Sequence, residues 1–108
     1  MISIDFGNDL EWWTQNIRYE QIVESIPVAT DRDEAVKLRL RQAFGAGGLE
    51  MTDVAEDMRT DLIGALLCGA ERVIEATEPQ AGTEEGDRNL EHLRKLRDTA
   101  RAALAALG

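Results

Sequence analysis

The amino-acid sequence predicts an all-α protein: a small three-to-four-helix bundle with a long central helix at about 53–77, a C-terminal helical hairpin and a short extended N-terminal arm. Three observations predict it. Apolar residues recur at steps of three and four over most of the chain, capping residues and prolines punctuate those runs at helical lengths, and only one short stretch alternates as a strand does. With 108 residues, 44% of them hydrophobic, the chain is expected to form one domain, 1–108, around one core.

Ile2, Ile4 and Phe6 alternate with polar residues, but no second alternating run stands out to pair with them. Residues 1–6 are therefore read as an extended arm. Asn8 or Asp9 can cap a first helix running to about Ser25, with Pro27 closing it. Its apolar residues fall into two stripes, Leu10, Trp13 and Ile17 against Trp12, Tyr19, Ile22 and Ile26, displaced by about 100° on a helix. One small core does not easily bury both, so a homodimer is kept open beside a monomer.

Thr30 and Asp31 open a second helix of about 31–44, with Asp31, Asp33 and Glu34 at its positive end and Val36, Leu40, Ala43 and Phe44 as its buried stripe. Gly45, Gly47 and Gly48 end it. In the central helix, Asp53 and Glu56 stand in capping-box relation and Pro79 closes the far end. One stripe runs through Met58, Leu62, Ala65, Gly69 and Val73, and a second through Ile63, Leu67, Ala70 and Ile74, which predicts packing on two sides. Gly64 and Gly69 make sense there if another backbone comes close. Residues 79–86 read as a flexible connection, and Asp87 can cap a last helix carrying Leu90, Leu93, Leu96, Ala100, Leu104 and Leu107.

Net charge is −9, from 21 acidic and 12 basic residues, which disfavours direct contact with nucleic acid or with anionic membranes. Residues 1–34 carry 8 acidic and 2 basic side chains and residues 49–86 carry 10 and 2, so the negative charge is concentrated in two blocks. The single Cys68 excludes an intramolecular disulfide, and no signal-like or membrane-spanning segment stands out, so the expected location is cytoplasmic.

The inventory for catalysis is thin. The chain has one histidine, His92, which reads as a solvated helix-face residue, one cysteine, which reads as a partly buried filler, and no phosphate-binding glycine loop. A non-enzymatic role without a cofactor follows as the expectation. Two rival readings stand against it. Glu56, Asp57, Asp61, Glu71 and Glu75 lie near one edge of the central helix, as in all-helical magnesium-dependent nucleotide hydrolases, but Asp57 and Glu71 would stand about 21 Å apart along it. Residues 51–58 could open a helix-turn-helix regulator, but its recognition helix would begin Asp61-Leu62-Ile63-Gly64, without base-reading side chains.

The remaining expectation is protein binding. Size and acidity suit an inhibitor, immunity or anti-defence factor that covers the basic surface of a nucleic-acid-handling protein. The predicted contact residues are Trp12 and Tyr19 as an aromatic anchor, with Asp9, Glu11, Glu20, Asp57 and Asp61 as the charged rim.

Overall fold

The computed structural model describes residues 1–107, and it overturns the all-α expectation. Alongside four α-helices, the described residues form a three-stranded mixed sheet. The strands are β1 (Ile2–Gly7), β2 (Leu10–Thr14) and β3 (Gly48–Glu50), and the helices are α1 (Asn16–Glu24), α2 (Asp31–Ala46), α3 (Glu56–Thr77) and α4 (Glu84–Leu107). The expected N-terminal arm is the middle strand, in the order β2-β1-β3, antiparallel to β2 and parallel to β3.

The expected first helix divides in two. Asn8 and Asp9 adopt positive φ, 54° and 62°, the left-handed conformation that a two-residue hairpin turn requires and that Asn and Asp tolerate best after glycine. They turn the chain instead of capping a helix. Leu10, Trp12 and Thr14 then face the core side of the sheet while Glu11 and Trp13 face solvent. After Gln15 the period changes, and Tyr19, Ile22 and Val23 form the buried side of a nine-residue helix. Each of the two incompatible stripes of the helical reading thus mixes residues of a strand and a helix.

Helix α2 begins as its sequence demands. Thr30 Oγ1 accepts from the Asp33 N–H at 3.1 Å, and the Asp33 carboxylate accepts from the Ala29 and Thr30 N–H groups at 3.0 and 3.2 Å. Those backbone bonds, that from Ala29 foremost, hold the Asp33 carboxyl below its ordinary pKa. Gly47, at φ 77°, ends the helix, and Gly48 enters β3 so close to β1 that a Cβ there would lie 2.4 Å from the Ser3 carbonyl oxygen.

Helix α3 is the central element and packs against α1, α2 and α4, with both predicted stripes engaged. Its start differs from expectation: Asp53 lies in a 3₁₀ turn, Met51–Asp53, and the N-cap is Ala55 without a side-chain bond, so no Asp53–Glu56 capping box forms. The helix runs unbroken past Asp61, where a helix-turn-helix needs a turn. Through a 3₁₀ turn at Glu78–Gln80 the chain continues into α4, which starts three residues before Asp87, with Thr83 Oγ1 accepting from the Gly86 N–H at 3.0 Å. None of the described helices is long and apolar enough to cross a membrane.

The two glycines of α3 separate. A Cβ on Gly69 would sit 2.5 Å from the Ile22 carbonyl oxygen, so α1 approaches as the sequence implies, whereas nothing lies within 4 Å of one on Gly64. Gly69→Ala should therefore destabilise the fold by about 1–3 kcal/mol through overpacking. Gly64→Ala should stabilise it by up to about 1 kcal/mol through helix propensity. Urea unfolding midpoints moving in opposite directions would bear this out, and a shared direction would contradict it.

Candidate binding surface

The sheet has one covered and one uncovered face. Ile2, Ile4, Phe6, Trp12, Thr14 and Leu49 are buried among the helices, and the alternate residues Ser3, Asp5, Glu11, Trp13, Gly48 and Glu50 point the other way. Register puts Asp5 opposite Glu11 on one side and opposite Glu50 on the other. Three carboxylates thus form a row across three strands, spanning about 10 Å at about 4.8 Å per strand. Directly opposed like charges destabilise a sheet. No Lys or Arg of the described residues forms an ion pair with any of them.

Two residues along the strands from this row, Trp13 faces Ser3 and is 55% exposed. Its indole N–H donates to the Glu11 carboxylate, which ties the ring to the acidic row. Met1, 72% exposed, lines the same groove as Trp13 and Arg18. The uncovered face therefore offers an apolar knob beside an anionic line.

Opposite electrostatics prevail where β2 meets α4. The Trp12 ring stacks on His92 with centroids 4.8 Å apart, and its N–H donates to the His92 carbonyl at 3.3 Å. His92 Nε2 stands 3.0 Å from the buried Thr14 hydroxyl. The histidine is thus a half-buried clasp between hairpin and helix, not the solvated residue expected from its neighbours in sequence. Burial holds its pKa below the ordinary value, and the positive charges of Arg18 and Lys95 lower it further.

The predicted contact residues are redistributed. Trp12 and Tyr19 are core residues, 2% and 0% exposed, so neither serves as an exposed anchor. Tyr19 donates to the Leu40 carbonyl at 2.7 Å, packs edge-on against Phe44, and has its phenol pKa pushed up by burial. Glu11 belongs to the carboxylate row and Asp9 to the hairpin turn, while Glu20 sits on α1. Asp57 and Asp61 occupy the first turns of α3, where Asp61 pairs with Arg32. Glu71, one of the weighed metal-site carboxylates, pairs with Arg101 at 3.0 Å, and no group of three His, Cys, Asp or Glu among the described residues converges as a metal site would need.

Sequence reasoning missed Asp5, Trp13 and Glu50. A signal for two of them was present: Leu10, Trp12 and Thr14 alternate with Glu11 and Trp13, and three turn-forming residues, Gly7, Asn8 and Asp9, separate this run from the alternating Ile2–Phe6. Nothing local pointed to Glu50, whose place depends on a parallel pairing of only three residues.

No protein-family model matches the chain, and neither the curated proteins nor the solved structures include a match.

The His92 clasp makes a prediction about pH. Because its pKa is lowered on folding, the unfolded chain binds the proton more readily, so the contribution of neutral His92 to stability is complete above its ordinary 6.5 and declines as pH falls through the lowered value. Urea midpoints measured from about pH 7 to about pH 5 should fall more steeply for the parent than for His92→Gln. Parallel slopes would rule out this role.

Proposed function

We propose that the protein binds the basic surface of another protein through the uncovered face of its sheet. Trp13, beside Met1, is the apolar anchor, and Asp5, Glu11 and Glu50 supply the complementary charge. The observation that carries this reading is the cross-strand row of three carboxylates, without a cationic partner, next to an exposed tryptophan. Such a row lowers the stability of the free sheet, and a cationic surface laid across it turns that repulsion into attraction. Trp is among the residues most enriched where interfaces concentrate their binding energy.

The expected partner is a nucleic-acid-handling protein, since surfaces that neutralise phosphates are rich in Lys and Arg. Covering such a surface excludes nucleic acid from it. This gives the chain the role of an inhibitor or immunity-type factor, acting by occlusion and without chemistry of its own.

The test is capture of partners from a cell lysate on the immobilised protein, then kinetics with the captured protein. A basic protein should bind, and raising salt from about 0.1 M to about 1 M, which shortens the screening length from about 10 Å to about 3 Å, should slow its association. Asp5→Lys with Glu50→Lys should lower the association rate at least about tenfold. Trp13→Ala should act on dissociation instead, weakening binding by about 2 kcal/mol or more. Binding indifferent to salt and to all three substitutions would place the interface elsewhere.

A further inference from the structure

Strand β2 is an edge. β1 pairs with one side of it and no strand of the described residues with the other, so alternate backbone N–H and C=O groups point away from the sheet. Natural edges are usually blunted by Lys, Pro, a bulge or a covering element. β2 reads Leu-Glu-Trp-Trp-Thr, and the irregularity in this hairpin lies in β1, between Asp5 and Gly7. Beside Leu10 and along the flank of α4 runs a groove of about 770 Å³, which shares Arg88 and His92 with a second groove reaching Trp13.

The α4 wall of the first groove presents Arg88, Glu91, Arg94, Lys95 and Asp98, and among these Arg88, Glu91, Lys95 and Asp98 follow one another in alternating sign. An antiparallel copy of this wall brings Arg88 against Asp98 and Glu91 against Lys95, and both pairings are centred on position 93. The centre of β2 is Trp12, whose ring stacks on His92 and whose N–H donates to the His92 carbonyl, next to that same position. A single twofold axis perpendicular to the sheet beside Trp12 therefore satisfies strand and helix together. It would run β2 antiparallel to its copy and, beneath the sheet, α4 antiparallel to its copy.

From this coincidence we infer that the protein forms a twofold dimer in which the β2 edges join into one continuous six-stranded sheet, fastened below by Arg88–Asp98 and Glu91–Lys95 pairs between the α4 helices. The pairs that Arg88 and Asp98 make within one chain, with Glu84 and Arg97, leave the carboxylates 89% and 64% exposed and are weakly held, so they exchange readily for pairs across the axis. Opposed at the join, Trp13 of one copy would meet Glu11 of the other on the uncovered face. The two carboxylate rows then lie on one side of the assembly. The dimer stands or falls independently of the basic partner.

Sedimentation of the full chain at micromolar concentration should give twice the 12.0 kDa chain mass. Glu91→Lys and Lys95→Glu, both at exposed positions, should each remain helical by circular dichroism while weakening self-association about tenfold or more, because each sets like charges across the axis. Mixed in equal amounts, the two variants should recover a dimer of about the parent's strength, since every cross-axis pair then unites opposite charges. A merely intrahelical Glu91–Lys95 pair predicts no such recovery. The β2 amides should also exchange more slowly as protein concentration rises. A parent that sediments as one chain, single variants that dimerise like the parent, a mixture that stays monomeric, or β2 exchange independent of concentration would each overturn the dimer.

Discussion

Adjacent tryptophans on a β-strand must face opposite sides of the sheet, and the burial of Trp12 therefore decides the exposure of Trp13. Trp12 is held by shape and by polar contact at once: its ring lies on His92, its N–H meets the His92 carbonyl, and its strand neighbour Thr14 meets the His92 side chain. Together these contacts bind the N-terminal hairpin to a helix some eighty residues further along the chain. With the hairpin seated, the inner residues of β1 complete the core and its outer residue Asp5 comes between Glu11 and Glu50. The anionic face is thus a by-product of how one aromatic side chain is buried.

The charges divide along the same lines. Arg32 with Asp61, Arg41 with Glu24 and Arg101 with Glu71 join different segments of the chain, and all are largely exposed, so each adds little to stability individually. They use up cations that could otherwise shield the acidic surface. The carboxylates of the sheet have no such partner, and Arg18, beside Trp13 in one groove, acts on His92 instead. A chain with a net charge of −9 consequently presents two surfaces of different character, one acidic with an aromatic knob and one of mixed sign. The proposed basic partner would meet the first, and the proposed second copy the second.

Much of the helical part was legible. Thr30 with Asp33, the glycines after residue 44 and the three-and-four spacing of α3 and α4 are local signals, each read by a helix from its own residues. The error over residues 10–25 has a physical cause: a five-residue strand running into a nine-residue helix places apolar side chains at spacings that a single helix can imitate with two stripes. The conflict between those stripes argues against one helix. Likewise Trp12 and Tyr19 share a face only if one helical period spans both, and the change of period at Gln15 breaks that relation.

Helices α2, α3 and α4 to within a few residues, the acidic balance and the poverty of catalytic groups could be read from the chain alone, because each is set by composition or by neighbours within a turn or two, whereas which of Gly64 and Gly69 meets another backbone could not. Long-range packing makes Ile2–Gly7 a central strand, joins Glu50 to Asp5 and Glu11, exposes Trp13 and not Trp12, and clasps His92 between strand and helix. A short strand has no internal hydrogen bonds and acquires its conformation from the partner it pairs with. Its partners here are as far away in sequence as residue 50, beyond the reach of any local pattern.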